Sequence, residues 1–363
     1  MNDRDLAISA AVLAFAAIAG ADSVRRTPTA DVPAEKFYKN IQVLQGTPST
    51  GIMPSMKFMA DSLGVRCSYC HVTNDSGRWP VERDDKAAKG RAREMIRMTR
   101  EINRANFKGR LEVTCATCHH GAVKPVATPV ATIRPSTPAP PPGVAEPSVD
   151  AVLEKYVAAL GGSAAIARVS SRRTRGTITE DGETHPIEIV QTAEGRYRSS
   201  TARPEGALTT IFDGEKGWMI GPSWKNPLQP DEIERIRSSE RLFPLANLKA
   251  RYRAVALFGR EDVDGRSAFV VRARTEDGRE ERFFLDAVSG LLLRALRFQR
   301  TPLGDIPEQT DYSDYREIDG VKLPFTIRHV VPDREDTVTV TEIAQNGDVS
   351  PSLFSPPVPA DRP

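Results

Sequence analysis

Residues 65–72 read VRCSYCHV, and this stretch decides how the first third of the chain is interpreted. Two cysteines stand three positions apart and a histidine follows directly. That arrangement suits zinc binding, thiol–disulfide exchange or covalent attachment of a haem. The pattern returns as CATCH in residues 115–119, so the two copies use all four cysteines of the chain.

The first two alternatives leave part of the pattern unexplained. A zinc site of four thiolates does not need the histidines and usually joins closer pairs than these two. A thiol–disulfide switch expects one pair, placed after a strand at the start of a helix. In haem attachment the thiols bond the vinyl groups of the porphyrin and the histidine becomes an axial ligand of the iron. The sequence therefore favours two covalently bound haem c groups, attached through Cys67, Cys70, Cys115 and Cys118, with His71 and His119 as iron ligands.

Methionines are concentrated ahead of the two motifs. Five of the seven stand there: Met53, Met56, Met59, Met95 and Met98. Met53 directly precedes the first of two predicted helices, and the other four methionines fall within them. The helices are residues 54–63, ending at Gly64 as a C-terminal cap, and residues 86–105. A thioether is a soft ligand that raises the reduction potential of a haem iron. Although methionine is often only core filler, we expect at least one iron ligand in each helix.

Residues 36–125 resemble the cytochrome c subunit of photosynthetic reaction centres. The runs that carry the resemblance are MKFMADSLGVRCSYCHV (56–72), AREMIRMTREIN (92–103) and VTCATCHHGAVKP (113–125). The resemblance implies that Met56 and His71 ligate the first haem and that Met95 and His119 ligate the second. Met53 and Met98, one helical turn away, are the alternates. The family's subunit has four haems, whereas this chain has two motifs, which implies a general electron carrier built on the same module.

The N-terminus indicates export. Residues 6–21 are uncharged and apolar and end in Ala-Gly-Ala, which predicts a cleaved signal peptide over residues 1–21 and a periplasmic location. An uncleaved segment that anchors the protein to a membrane is the alternative. The net charge of +2 gives no concentrated basic surface, so a nucleic-acid partner is not expected.

Composition divides the chain into regions of different character and predicts a multidomain α + β protein. Residues 122–148 are rich in proline and small residues and predict a linker. Before it, residues 30–121 predict a mostly α-helical dihaem cytochrome c domain. After it, residues 149–358 predict a curved antiparallel, half-barrel-like β-sheet with helices near 152–160 and 230–247. The strand signals are the runs TRGTIT, HPIEIVQTA, SAFVVRART, ERFFLDA, LLLRALRFQ, PFTIRHVV and TVTVTEI.

The β-rich region resembles exported domains of the lipoprotein-carrier kind. Such domains bind acyl chains on the concave face of the sheet, so lipid is an expected ligand if the resemblance extends to function. A scaffold or docking role is the favoured alternative. His185 and His329 lie in this region and have no predicted role, and His120 is expected to be a surface residue.

Taken together, the sequence predicts an electron-transfer protein and not an enzyme, with periplasmic or membrane redox proteins as partners. A dihaem peroxidase is one alternative, and a lipid- or lipoprotein-binding module with a cytochrome appendage is another. Basic residues surround the second methionine helix and predict a solvated face or a steering patch for an acidic partner. They are Lys86, Lys89, Arg91, Arg93, Arg97, Arg100, Arg104, Lys108 and Arg110.

Overall fold

The computed structural model describes most of the chain after its N-terminal segment. The described residues are 32–72, 79–125, 146–276, 278–332 and 334–356. The predicted signal peptide and most of the predicted linker lie outside them. The chain divides into two compact units. The first comprises Met1–Arg134 together with Gln299–Ile306, and the second comprises Pro135–Phe298 and Pro307–Pro363.

Helices are the main regular elements among the described residues of the first unit. They are α1 (Ala34–Phe37), α2 (Ile52–Leu63), α3 (Ala87–Phe107) and α4 (Cys115–His119). Helix α2 begins two residues before the predicted start, because Pro54 still lies in the first turn, where its missing N–H is not needed. It ends as predicted at Gly64, which adopts the left-handed conformation (φ 64°, ψ 37°).

The core of the first unit is small. Its buried residues are Ala34, Leu44, Ile52, Phe58, Ile96, Leu303 and Ile306. Helical spacing in the sequence predicts an apolar stripe on this helix through Ala92, Met95, Thr99 and Ile102. Helix α3 buries Thr99 as predicted, together with Ile96 and Asn103, whereas Met95 and Ile102 are only half-buried. The stripe is therefore centred one residue further along the helix. An asparagine escapes a search for apolar periodicity even when it is buried.

The second unit contains the large curved antiparallel sheet that the sequence predicts. Its strands are β1 (Ser171–Glu180), β2 (Glu183–Thr192), β3 (Tyr197–Thr201), β4 (Leu208–Phe212), β5 (Gly217–Ile220), β6 (Lys225–Pro227), β7 (Ala254–Val263), β8 (Arg266–Arg274), β9 (Glu280–Asp286), β10 (Leu292–Thr301), β11 (Gly304–Ile318), β12 (Val321–Val331) and β13 (Arg334–Gln345). Each of the seven predicted strand runs lies within one of these strands or extends beyond its end by a single residue. The strands follow the order β6-β5-β4-β3-β2-β1-β13-β12-β11-β10-β9-β8-β7.

Nearly all neighbours in the sheet are consecutive in the chain, so tight turns suffice to build it. The exception is the antiparallel pair of β1 and β13, which joins the two ends of the meander in register from Arg172–Gln345 to Glu180–Asp336. A bulge between Arg175 and Gly176 interrupts this pair. Bulges increase the local twist of a sheet, which contributes to its curvature.

Four helices accompany the sheet: α5 (Val149–Ala159), α6 (Ser163–Ala167), α7 (Pro230–Ser239) and α8 (Leu248–Arg251). The helix predicted over 230–247 is wrong at its C-terminal end, since α7 stops at Ser239. Pro244 cannot continue a helix, and the chain turns there before α8. Side chains from α5, α8 and strands β8, β9 and β10 form the largest buried cluster of this unit.

Among the described residues, no helix has the length and apolar character needed to cross a membrane.

Candidate functional site

The second Cys-x-x-Cys-His motif is a short, well-capped helix, α4. Thr114 precedes it in extended conformation, and the Thr114 N–H donates to Oγ1 of Thr117 at 3.0 Å. This bond satisfies a backbone donor at the start of the helix. The helix ends at His120, which adopts the left-handed conformation and lies exposed, as the sequence predicts for a surface residue.

His119 already has its ring orientation fixed. Its Nδ1 lies 2.9 Å from the carbonyl oxygen of Ala122. A carbonyl can only accept, so Nδ1 must carry the hydrogen and Nε2 keeps a free lone pair. Histidines that ligate metals are commonly oriented by such a bond. The half-buried ring is therefore set for ligation through Nε2.

The segment after α4 approaches the end of α2 very closely. The Gly121 N–H donates to the carbonyl of Ser62 at 2.9 Å. A Cβ on Gly64 would lie 2.1 Å from the carbonyl oxygen of Gly121, so no side chain fits at that position. This contact brings α2 beside the second motif, and Met56 and Met59 pack in the same cluster as Cys115.

Asn103 on α3 is a site residue that the sequence analysis missed. Only 4% of it is exposed. Its Nδ2 donates to the carbonyl of Val113 at 2.7 Å, and its Oδ1 accepts from the N–H groups of Glu112 and Val113 at 3.1 and 2.9 Å. The side chain thus holds the extended segment that leads into Cys115. Its position four residues after Thr99 on the predicted helix was the signal that the sequence offered.

The first motif adopts a different local structure. Residues Cys67–Tyr69 form a 3₁₀ turn, and the N–H of His71 donates to the carbonyl of Cys67 at 3.0 Å. Nδ1 of the half-buried His71 is shielded from solvent and has no hydrogen-bond partner among the described residues. Burial lowers the pKa of the imidazole, and the positive charge of Lys89 lowers it further. The ring is therefore held neutral, the form that binds a metal.

Lysines of α3 and of the residue before it hold the first motif in place. Lys86 donates to the carbonyl of Ser68. Lys89 donates to the carbonyls of Val81 and Arg83 at 2.7 and 2.6 Å. Both lysines belong to the basic run in the sequence, so part of that run binds the protein's own backbone instead of facing solvent.

Asp84 is the acceptor for several side chains around the loop of residues 79–86, which precedes α3. It accepts from both terminal nitrogens of Arg93 at 2.9 and 3.0 Å and from Nδ2 of Asn40 at 3.0 Å, and it pairs with Lys89 at 3.0 Å. The hydrogen bonds from Arg93, then those from Lys89 and Asn40, lower the pKa of the carboxyl well below its usual range. Of the nine basic residues predicted around α3, Lys86, Lys89 and Arg93 therefore bind groups of the protein itself.

The four cysteines form no disulfide. Burial raises the pKa of the Cys70 and Cys115 thiols, whereas a thiol–disulfide switch depends on a lowered one. Among the described residues, no three His, Cys, Asp or Glu side chains lie close enough together to hold a metal ion.

The predicted methionine ligands differ in exposure from their alternates. Met56 and Met95 are half-buried, whereas Met53 and Met98 are 39% and 44% exposed. Helices α2 and α3 thus turn the favoured methionines toward the protein, a position from which a thioether can reach an enclosed iron. The pairing of each methionine with its own histidine stays a prediction.

Apolar side chains lie exposed around both motifs. In the described ranges, seven of the nine exposed large hydrophobic residues fall between positions 53 and 123: Met53, Tyr69, Trp79, Val81, Met98, Leu111 and Val123. A porphyrin is a large apolar disc, and burying such side chains against it is favourable. Together with the neutral His71 ring and the oriented His119 ring, this surface fits a haem at each motif.

Comparison with known proteins identifies the same region. Residues 10–150 match the family described as the photosynthetic reaction centre cytochrome C subunit. This region resembles that subunit. The resemblance predicted from the sequence is confirmed. A reaction center cytochrome c subunit from Rubrivivax gelatinosus is 38% identical over 88 residues, which cover 20% of this chain and 23% of that protein. Cytochrome c-554 from Chloroflexus aurantiacus is 37% identical over 90 residues, which cover 23% of this chain and 20% of that protein.

The chain thus spans less than a quarter of the length of these two curated cytochromes. Solved structures add weaker likenesses. A LolA superfamily protein from Nitrosomonas europaea has a TM-score of 0.41 at 13% identity, and the match covers 58% of this chain and 99% of that protein's chain. A DUF1329 family protein from Desulfovibrio piger has a TM-score of 0.43 at 14% identity, and the match covers 57% of this chain and 97% of that protein's chain. Scores at this level give no ground for assigning a function to residues 149–358.

The two histidines of the second unit lie apart from the cytochrome motifs in the sequence. His185 is buried, with Nε2 lying 3.4 Å from a carboxylate oxygen of Glu183. Nδ1 of His329 lies 3.8 Å from a carboxylate oxygen of Asp336. Each therefore has a carboxylate neighbour that accounts for its position in the sheet, and the structure assigns neither a further role.

Proposed function

We propose that this protein is a dihaem c-type cytochrome that carries single electrons in the periplasm and is not an enzyme. The observation that carries the proposal is the pair of Cys-x-x-Cys-His motifs, each with a half-buried histidine whose ring is prepared for an iron. The reaction-centre cytochrome resemblance of residues 10–150 supports it. Haem c supplies reversible one-electron oxidation and reduction at its iron.

In this proposal, the thiols of Cys67, Cys70, Cys115 and Cys118 hold two porphyrins. His71 and Met56 are the ligands of the first iron, and His119 and Met95 are those of the second. The Ala122 carbonyl keeps the His119 ring in one tautomer and increases the basicity of Nε2. A thioether opposite an imidazole favours ferrous iron and raises the reduction potential.

These ligand sets decide what chemistry is available. If His71 with Met56 and His119 with Met95 held the two irons, no position would be left for a substrate, and electrons would pass without bond formation. The residues of the chain hold the ligands, exclude water through the apolar side chains and fix the loops through Asn103 and Asp84. A peroxidase, the enzymatic alternative, needs one ligand position to be open or displaceable.

Location, partners and domain roles complete the proposal. We assign residues 1–21 to a signal peptide, 30–121 to the cytochrome domain, 122–148 to a linker and 149–358 to a β-rich domain that serves as a scaffold or docking module. The partners are periplasmic or membrane redox proteins. The curated cytochromes are matched over a small part of their length, so a general electron carrier is the appropriate proposal.

The test is to express the full chain with the cytochrome maturation machinery. We expect intact-mass analysis to show two added haems that survive acid–acetone extraction. The oxidised protein should show the weak long-wavelength band of a methionine–iron bond. A chain with four alkylatable thiols, or a zinc adduct, would contradict the proposal. A high-spin haem in the resting protein would favour the peroxidase, and lipid that co-purifies with the full chain would favour the lipid-binding module.

A further inference from the structure

The first unit is discontinuous in sequence, because the chain enters it a second time at Gln299–Ile306. Within this segment, Leu303 is 5% exposed and Ile306 is 1% exposed. Both belong to the same buried cluster as Phe58 of α2 and Ile96 of α3. Two of the seven buried residues of this small core therefore come from a segment nearly 200 positions away from the haem motifs.

The turn in this segment has a fixed conformation. Oγ1 of Thr301, which is buried, accepts from the N–H groups of Leu303 and Gly304 at 3.1 Å each. Pro302 lies against the start of α2, since its Cγ would be 3.0 Å from a Cβ on Gly51. A turn held by internal hydrogen bonds and a proline presents a rigid surface to its neighbours.

Gly304 is in direct contact with α2. A Cβ at this position would lie 2.2 Å from Cζ of Phe58, and the φ of +155° is one that side-chain-bearing residues rarely adopt. The Phe58 ring is buried in the core, so it has little freedom to move away. Any side chain at position 304 would therefore displace α2 through Phe58.

Phe58 lies between Met56 and Met59 on α2. Ligand geometry at a metal must be held within about 0.5 Å, and the packing of neighbouring side chains supplies that accuracy. We propose that the turn of residues 301–306 is a positioning element that fixes α2 and thereby the sulfur of Met56 relative to its iron. The role of Met56 in this inference rests on the proposed function; the packing of the turn against α2 does not.

The experiment compares two glycine substitutions in the full, haem-loaded chain. Gly304→Ala meets Phe58, whereas Gly320→Ala is the matched control, because Gly320 also has a positive φ (+79°) but its Cβ would have nothing within 4 Å. We expect Gly304→Ala to lose up to half of the methionine–iron band and to lower the reduction potential of one haem. Gly320→Ala should leave both unchanged. Leu303→Ala, which removes core atoms without a clash, gives the same readout if Gly304→Ala does not accumulate.

Amide exchange of the cofactor-free chain separates the two parts of the inference. Amides of α2 should exchange at least about tenfold faster in Gly304→Ala than in the wild type, which corresponds to about 1.4 kcal/mol of local opening free energy. An unchanged band together with unchanged exchange would overturn the inference while leaving the proposed function intact. A wild-type chain without haem, but with faster exchange in Gly304→Ala, would overturn the proposed function and support the packing role.

Discussion

The two Cys-x-x-Cys-His motifs have the same residue pattern but are held in different ways. The second is a capped helix whose histidine is hydrogen-bonded to the Ala122 carbonyl. The extended segment before this helix is held by Asn103. The first is a 3₁₀ turn held from outside by Lys86 and by the loop around Asp84, with one ring nitrogen of its histidine unpartnered. The pentapeptide specifies the chemistry, and the flanking segments specify how firmly it is presented.

Removing the thiols of one motif gives the largest expected effect. The pairs Cys67→Ser/Cys70→Ser and Cys115→Ser/Cys118→Ser should each cost one haem, because in the proposed protein each porphyrin would be held by its own two thioether bonds. Intact-mass analysis measures this directly. If either pair removed both haems, the motifs would not be independent sites, and the contrast between them would have no meaning.

Methionine substitutions give the next largest effect. Met56→Ala and Met95→Ala should each remove about half of the methionine–iron band and lower one reduction potential, because the soft axial ligand is lost. The exposed alternates provide matched controls, and Met53→Ala and Met98→Ala should keep the band. Loss of the band in a control instead would place the ligands one helical turn away.

The same substitutions test which haem each methionine serves. Because Met56 packs in the same cluster as Cys115, its pairing with His71 needs a direct test. In the Cys115→Ser/Cys118→Ser background only the first haem remains, and Met56→Ala should then remove the band entirely. A band that survives would assign Met56 to the second haem.

Asn103→Leu sharpens the comparison at the second motif. The change leaves the N–H groups of Glu112 and Val113 and the carbonyl of Val113 without their partner. A fully buried group in that state costs roughly 1–3 kcal/mol, and the total here is smaller than three such costs because Glu112 is exposed to water. We expect the free energy of unfolding to fall by about 2–3 kcal/mol and the second haem alone to change its spectrum. Denaturant unfolding and the potentials of the two haems measure this.

Asn106→Leu is the control for that experiment. Asn106 is one turn further along α3, is exposed, and donates only to the carbonyl of Ile102 at 3.1 Å. Its substitution should change stability by less than about 0.5 kcal/mol. Equal effects of the two variants would show that Asn103 has no special part in holding the second motif.

Asp84→Asn tests the first motif and has the smallest expected effect, because the carboxylate is exposed. Its pKa is lowered in the folded protein, so its charged form stabilises the fold above the ordinary carboxyl pKa of about 4. That contribution is lost as the pH falls toward the lowered pKa. Urea unfolding is measured at about pH 5 and about pH 3, on either side of the ordinary carboxyl pKa. The free energy of unfolding should fall less between these two pH values in Asp84→Asn than in the wild type. An equal fall in the two proteins would mean that the Asp84 carboxylate does not stabilise this loop.

Local signals made much of the fold predictable. Gly64 identified the end of α2 because a left-handed cap suits glycine, and alternating runs such as residues 337–343 identified strands. Lys86 and Lys89 were not predictable, because a lysine on a backbone carbonyl and a lysine in solvent have the same sequence pattern. Asn103 was missed because its partners are created by a loop that apolar periodicity does not describe. The turn at 301–306 was missed because contacts between segments far apart in the chain leave no local signal.

The meeting of Gly64 with Gly121 has a consequence for the way this protein can vary over time. The segment that carries the first motif and the segment that carries the second touch backbone to backbone, with a hydrogen bond from Gly121 to Ser62 and no space for a methyl group at position 64. Spacing set in this manner cannot drift by gradual exchange of larger and smaller side chains. Lineages that keep this crossing are therefore expected to keep the glycine at 64, whatever else changes around the two motifs.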